Sequence, residues 1–224
     1  MARKIETNAD ASGQIRREAL DQGARNIRLC TQAYGTLKEY INGEGQPGGI
    51  CRSLVLGWIA DRKGGQDFFT KMLGLGGVVN ASMVGPMVQQ QQYKGKGNRF
   101  EERAYITSEL VAKGLESCGC QVAKVDEIAG PVGKWFMQTP EQGPIGPYRF
   151  LGVRDGVFHA MGLDLHGAKG PIFFDPNWGE FEFPDYVKLT TFLNTSMFTR
   201  AGAGDTADYA GFKAFRSVEK ICFS

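Results

Sequence analysis

The sequence predicts an α+β protein, in which helices come first along the chain and an antiparallel sheet follows. Before Gly119 the apolar residues recur with the period of a helix, whereas after it short apolar runs alternate with turn residues as they do in strands. The glycine content, 31 residues, also favours many tight turns over a helical bundle.

The amino-terminal part is predicted to be helical. Residues 1–13 are polar and are expected to form a flexible segment, and a helical region is expected over 14–40. The glycine-rich stretch 42–49 is predicted to be a loop. A further helix begins at Cys51, because apolar residues follow it at the positions that form the buried stripe of an amphipathic helix. Additional helices are predicted over 67–73, 82–92 and 103–115.

The carboxy-terminal part is predicted to be a sheet, with strands over 121–125, 148–153, 157–165, 171–174 and 180–183. Turn residues at 154–156 and 166–170 separate the middle strands. A helix is expected over 184–198, because proline suits the first turn of a helix. A closing strand is expected over 213–223. The chain length predicts one compact domain over 14–224.

Composition excludes several classes of protein. The 26 basic and 24 acidic residues leave a net charge of +2, which indicates no attraction to nucleic acid. No apolar stretch has the length of a membrane helix, and the amino terminus has no Sec-type signal region. Two histidines cannot form a three-histidine metal site. No metal or other cofactor is expected. The oligomeric state is left open.

Cys51 is the first candidate for chemistry. The amino terminus of a helix favours the thiolate, which is the nucleophilic form of cysteine. Gly48 and Gly49 would let a substrate carbonyl approach the Cys51 N–H, and Gln46 can offer its side-chain amide to a developing oxyanion. The alternative is that Cys51 is a small buried apolar residue, as cysteines often are.

His159 is the second candidate, because a histidine on a strand can reach a thiol on a packed helix and act as its base. The alternative is a core histidine bonded to a backbone carbonyl. His166, in a glycine-rich turn, is the rival for the role of base.

Asp175 is the third candidate. If strands 157–165 and 171–174 form a hairpin, residue 165 pairs with 171, and residue 161 with Asp175. His159 is then the diagonal neighbour of Asp175, whose carboxylate can orient the imidazole and stabilise its charged form. The alternative is an Asx turn at the end of the strand.

Three blocks of the sequence carry a resemblance to a known family. They are 49–51 with the downstream Leu54 and Trp58, then 158–162, and then 173–181, which reads Phe-Phe-Asp-Pro-Asn-Trp-Gly-Glu-Phe. In these blocks the chain resembles the YopT/AvrPphB-type cysteine proteases, which are bacterial effectors with a papain-like fold. The third block is the most specific of the three.

The resemblance implies roles for individual residues. Cys51 is the nucleophile, His159 the general base and then acid, and Asp175 the residue that orients His159. Gln46 resembles the oxyanion-hole glutamine of papain-like enzymes. Asn177 resembles the asparagine of papain and is an alternative residue to orient the histidine.

The resemblance also implies a fold, a substrate class and a location. The fold is papain-like, with an amino-terminal helical part packed on a carboxy-terminal antiparallel sheet. The substrate is a host protein, which is a prenylated small GTPase for one member of the family and a kinase for another. The protein reaches the host cytoplasm through a dedicated bacterial secretion system.

Two other functions remain open at this stage. A deamidase, a transglutaminase or a peptidoglycan amidase can use the same Cys–His–Asp residues on the same scaffold. A binding module without catalytic activity can keep the fold, although it has no need of an intact triad.

Overall fold

The computed structural model describes most of the chain, and all structural statements refer to these residues: 8–28, 35–43, 50–73, 78–94, 99–138, 146–155, 157–199, 207–209 and 213–224. The helices in these ranges are α1 (Asn8–Asp21), α2 (Gly35–Gly43), α3 (Cys51–Lys63), α4 (Phe68–Met72), α5 (Ala81–Lys94), α6 (Arg99–Val111), α7 (Val132–Met137) and α8 (Tyr186–Phe192). A π-helical turn, Leu193–Met197, extends α8.

The strands are β1 (Arg25–Arg28), β2 (Ser117–Lys124), β3 (Tyr148–Asp155), β4 (Val157–Asp164), β5 (Ile172–Asp175), β6 (Gly179–Glu182), β7 (Phe198–Thr199), β8 (Ala207–Tyr209), β9 (Lys213–Phe215) and β10 (Ser217–Phe223). The main sheet has the order β1-β6-β5-β4-β3-β10-β2, its paired strands are antiparallel, and β7, β8 and β9 form a small second sheet. Helices α1 to α6 precede every strand of the main sheet except β1, so the predicted α+β class is confirmed.

Two hydrophobic cores lie on opposite faces of the main sheet, because neighbouring residues of one strand belong to different cores. We call the first the α3 core; it contains Trp58 with Phe150 and Phe174. The second, the α8 core, contains Phe192 with Leu151 and Phe173. The nucleophile candidate Cys51 belongs to the α3 core.

Helix α3 is the central helix of the fold. The predicted stripe of Leu54, Val55, Trp58 and Ile59 is buried, but Arg52, Ser53 and Leu56 are buried as well. The reason is that α5 and α6 cover the side of α3 that faces away from the sheet. The helix is therefore enclosed, whereas the sequence predicts one exposed face.

The predicted helical region over 14–40 is wrong in its middle. Helix α1 ends before Gly23, whose φ of +81° terminates a helix readily, and Arg25–Arg28 form a strand instead. This strand pairs with β6 at the edge of the sheet, so hydrogen bonds to a distant part of the chain determine its conformation. The division into a flexible 1–13 and a single domain 14–224 stays a prediction, and α1 begins at Asn8.

Three other elements differ from the prediction. Helix α7 was not predicted, and its Phe136 is fully buried in the α8 core. The helix expected over 184–198 begins at Tyr186, after Asp185, whose side chain accepts a hydrogen bond of 2.8 Å from the Lys188 N–H. The closing strand is divided at Arg216 into β9 and β10.

Within the described ranges, no helix is long and apolar enough to cross a bilayer.

Candidate active site

Cys51 is the first residue of α3, and its position depends on how that helix is anchored. Two side chains farther along α3 fasten it to the sheet. Trp58 donates a hydrogen bond of 2.6 Å from Nε1 to Oε2 of the buried Glu180. Arg62 donates to Oδ2 of Asp164 from Nη2 at 2.9 Å and from Nε at 3.0 Å. These contacts hold the middle and the end of α3 on β6 and β4, and Cys51 lies at the start of the same helix.

The Cys51 side chain is 5% exposed and faces the strand that carries the candidate base. Its Sγ lies 3.9 Å from the carbonyl oxygen of Phe158, the residue before His159. The His159 ring also lies within hydrogen-bonding reach of the Cys51 thiol. The thiol and the imidazole are therefore in direct contact, although a long stretch of sequence separates them.

Asp175 lies on the other side of the His159 ring. The distances from His159 Nε2 to Asp175 Oδ1 and Oδ2 are 3.1 and 3.3 Å. The carboxylate has no exposed surface, and the imidazole is 15% exposed. Because Nε2 faces Asp175, Nδ1 is the ring nitrogen left for proton exchange with Cys51.

The strand register explains this contact. Gly162 pairs with Phe174, Leu163 with Phe173, and Asp164 with Ile172. This is the register that the sequence predicts from the length of the turn, and it makes Asp175 the diagonal neighbour of His159. Turn length and strand alternation thus bring the carboxylate to the imidazole.

The charges of the site favour an ion pair between thiolate and imidazolium. Burial by itself lowers the pKa of His159, but the charge of Asp175 and hydrogen bonds to Asp175 and Cys51 raise that pKa to about 10. Burial opposes ionisation of Cys51, yet the hydrogen bond and positive charge of His159 bring the pKa of the thiol below its ordinary value. The Ala160 backbone and Arg52 lower the Cys51 pKa further.

The remaining candidates lie elsewhere or act differently. His166 is exposed and lies in the turn past the far end of β4, seven residues along the chain from His159. Asn177 donates its backbone N–H to Asp175 Oδ1 at 2.7 Å. Gln46, Gly48 and Gly49 lie outside the described residues.

The structural interpretations of Cys51 as a buried residue and of Asp175 as part of an Asx turn are also correct. Cys51 is a buried residue of the α3 core, and the Asn177 N–H closes an Asx turn on Asp175. Neither feature conflicts with a catalytic role, because the Asp175 oxygen that accepts the Asn177 N–H also faces the His159 ring. The Asx turn holds the carboxylate in place.

Sequence reasoning missed the contributions of Arg52 and the Ala160 backbone to the environment of Cys51. An arginine directly after the candidate nucleophile was a visible signal. Its burial, however, depends on α6, which no local pattern places there. Among the residues described, no group of three or more His, Cys, Asp or Glu side chains is arranged to hold a metal ion.

The family model Peptidase_C58, described as Yersinia/Haemophilus virulence surface antigen, matches residues 149–216. This segment contains His159 and Asp175, and Cys51 lies before it. No curated protein matches the chain.

Among solved structures, the Pseudomonas avirulence protein AvrPphB is similar at 16% identity with a TM-score of 0.47, covering 79% of this chain and 92% of that one. The YopT domain of the Pasteurella multocida PfhB2 toxin is similar at 20% identity with a TM-score of 0.31, covering 80% of this chain and 88% of that one. The predicted resemblance to the YopT/AvrPphB family of cysteine proteases is confirmed by the Peptidase_C58 match over residues 149–216.

Proposed function

We propose that this protein is a cysteine endopeptidase that uses Cys51, His159 and Asp175 as its catalytic triad. One observation carries the proposal. Cys51, the first residue of a buried helix, lies beside the His159 imidazole, and Nε2 of that ring lies 3.1 Å from the fully buried carboxylate of Asp175. Nucleophile, base and orienting group are thus in the order that thiol acyl transfer requires. The Peptidase_C58 match supports the same function.

The charges around the site favour a resting ion pair of Cys51 thiolate and His159 imidazolium. The pKa of the thiol is lowered and that of the imidazole is raised to about 10, and both shifts favour the proton on His159. A thiolate attacks a carbonyl far faster than a thiol does. Asp175 keeps the ring oriented and stabilises its positive charge.

The reaction proceeds in two stages. The Cys51 thiolate forms a bond to the carbonyl carbon of the scissile peptide; then the C–N bond breaks as His159 protonates the leaving amine. This leaves an acyl-enzyme and a neutral imidazole. His159 next takes a proton from water, whose oxygen attacks the thioester and releases the acid, and Cys51 leaves as the thiolate.

The oxyanion of each tetrahedral intermediate is bound at the start of α3. The first N–H groups of a helix have no acceptor within the helix and point toward its amino terminus. The Cys51 N–H is the first of these groups, and Gln46 is the proposed side-chain donor. Removing one such donor typically costs about 100- to 1,000-fold in rate.

The substrate is a host protein, and the enzyme acts as an effector delivered into host cells by a dedicated secretion system. The description of the matching family as a virulence surface antigen supports this assignment. Small GTPases and kinases are the first substrates to test.

Mass spectrometry of new peptide termini, in host lysate and with purified small GTPases, tests the reaction. Wild type should generate new termini, while Cys51→Ala should generate none and His159→Ala should lose at least about 100-fold in rate. His166→Ala is the matched control and should cleave like wild type. A gain of about one mass unit at glutamine, without chain cleavage, would show deamidation and overturn the peptidase assignment.

A further inference from the structure

Glu102, near the start of α6, forms ion pairs with two arginines from different parts of the fold. Arg52 of α3 places Nη1 3.4 Å from Oε1 of Glu102. Arg154 of β3 forms a close ion pair from Nη2 to the other oxygen, Oε2. One carboxylate therefore joins the helix that begins with Cys51 to the strand beside β4.

The three side chains are shielded from solvent to different degrees. The exposed fractions are 4% for Arg52, 11% for Glu102 and 22% for Arg154. Arg52 also lies over the ring of Tyr105, at 6.0 Å from its centroid. Ion pairs in such surroundings are weakly screened, and loss of one partner leaves a buried charge without compensation.

Arg154 connects this ion-pair network to the strand of His159. It pairs with Phe158 in the β3–β4 register, and its guanidinium lies 4.8 Å from the centre of the Phe158 ring. The ring fits closely over Gly152, where a Cβ atom would lie 2.5 Å from it. The Phe158 carbonyl is the group 3.9 Å from Cys51 Sγ, and His159 is the next residue.

The network thus touches both sides of the Cys51–His159 contact. At one end Arg52 adjoins Cys51 in the first turn of α3, and at the other Arg154 holds the ring of the residue that precedes His159. We propose that Glu102 is a positioning residue, which holds the Cys51 helix at its working distance from the His159 strand. This inference rests on the proposed peptidase function and deepens it.

The charged groups that face Cys51 determine how readily its thiol ionises. They are His159 from β4 and Arg52 from α3 itself, with Asp175 of β5 behind His159. If Glu102 acted only through its charge, removing it would favour the thiolate further. If it positions the two elements, removing it weakens the Cys51–His159 contact and disfavours the thiolate.

The test measures the alkylation rate of Cys51 by iodoacetamide from pH 5 to 10, with the Cys51 peptide quantified by mass spectrometry. Glu102→Gln removes a negative charge, and Arg154→Gln removes a positive charge. A purely electrostatic role shifts the two pH profiles in opposite directions. Positioning shifts both to higher pH and slows alkylation at pH 7 by about tenfold in each variant.

Glu127→Gln is the matched control, because it removes an exposed glutamate whose partner is Lys124, on the surface. Its profile should overlay that of wild type. Circular dichroism in the near ultraviolet checks that each variant is folded. If Glu102→Gln does not fold, Arg154→Lys replaces it, since lysine keeps the charge but loses the flat guanidinium over Phe158. The alkylation of Cys51 in the Arg154→Lys variant should then be as slow as in the Arg154→Gln variant.

Opposite shifts of the two profiles, or wild-type profiles in both variants, would overturn the positioning role. Failure of the proposed function gives a different result. Cys51 of the wild type would then react no faster at pH 7 than Cys120, a residue of the edge strand β2 whose thiol pKa is raised because the sulfur is partly shielded from solvent.

Discussion

At the scale of single residues, the properties of Cys51 depend on what surrounds His159. Burial alone would leave a neutral imidazole and a neutral thiol, because a low-dielectric environment disfavours both charged forms. The carboxylate of Asp175 reverses this outcome by raising the pKa of His159 to about 10. The imidazolium in turn lowers the pKa of the thiol.

Replacing Asp175 with asparagine should undo both effects. Without the carboxylate, the pKa of His159 falls and that of Cys51 rises, so the thiolate disappears at a higher pH as the solution is acidified. We expect peptidase activity at pH 7 to fall by about 100- to 10,000-fold, since loss of the triad aspartate in a serine protease is at the upper end of that range. The NMR shift of the His159 ring protons, followed against pH, measures the pKa change directly.

The control for this experiment is Asp185→Asn. Asp185 caps α8, and asparagine caps helices about as well as aspartate does. Activity and the His159 titration should therefore match wild type. An unchanged His159 pKa in the Asp175→Asn variant would show that a group other than Asp175 raises the pKa of the imidazole.

The sequence favours His159 over His166 as the base, through the hairpin register and the family resemblance, but it cannot show which histidine reaches the thiol. Hairpin register predicts the neighbour of His159 from the turn length, a local property. Which histidine faces the thiol depends instead on where α3 lies across the sheet. The structure places His159 at that point and leaves His166 exposed.

At the scale of elements, the contact between α3 and β4 determines the geometry of the site. Gly162 of β4 lies beneath the indole of Trp58, and a Cβ atom there would approach two ring carbons at 2.8 Å. The same indole stacks on Phe174, with centroids 5.3 Å apart. The helix and the strand approach closely because one of the residues between them has no side chain.

Gly162→Ala should therefore push α3 away from β4. The indole is fixed by Phe174 and Glu180, so the strain cannot be relieved by moving one flexible side chain. We expect a loss of about 1–3 kcal/mol in the free energy of unfolding, measured by urea denaturation. Alkylation of Cys51 should slow as well, since the helix start moves relative to His159.

Gly64→Ala serves as the comparison, because it adds the same methyl group just past the other end of α3. Gly64 has a φ of −79° and its added Cβ would have no neighbour nearer than 3.5 Å. Its effect should stay within about 0.5 kcal/mol. Equal losses in the two variants would contradict the close approach at Gly162.

Prediction of elements succeeded where the pattern is local. The buried stripe of α3 was predicted from its apolar spacing, and α4 lies within the helix predicted over 67–73. It failed for β1, which is a strand only because β6 offers an edge, and for α7, which packs into the α8 core. The contacts that decide both elements come from elsewhere in the chain.

At the scale of the whole molecule, one sheet supports two cores. Its inner strands alternate side chains between the α3 core and the α8 core; Ile221 and Val218 of β10, for example, belong to different cores. Because both cores share the same backbone hydrogen bonds, we expect them to unfold together. This expectation tests the prediction of a single domain over 14–224.

Urea unfolding of Ile221→Val and Val218→Ala addresses that prediction. Each variant should lose about 0.5–3 kcal/mol, and the double variant should lose the sum within about 0.5 kcal/mol, because the side chains face opposite cores. Far-ultraviolet circular dichroism and tryptophan fluorescence should give one coincident transition in every variant. Two separated transitions would indicate that the cores are independent units.

The sequence by itself determined the features that rest on local spacing. These are the helix that begins at Cys51, the hairpin register that makes Asp175 the neighbour of His159, and the three blocks that resemble a cysteine protease family. Periodicity and turn length suffice for these features, because they relate residues that are near one another along the chain.

Only the tertiary structure decided which distant residues meet. It brought His159 rather than His166 to the thiol, buried Arg52 beneath α6, and joined Arg52 and Arg154 through Glu102. These contacts depend on the angle and depth at which helices pack on the sheet, and side-chain volumes throughout both cores determine that packing.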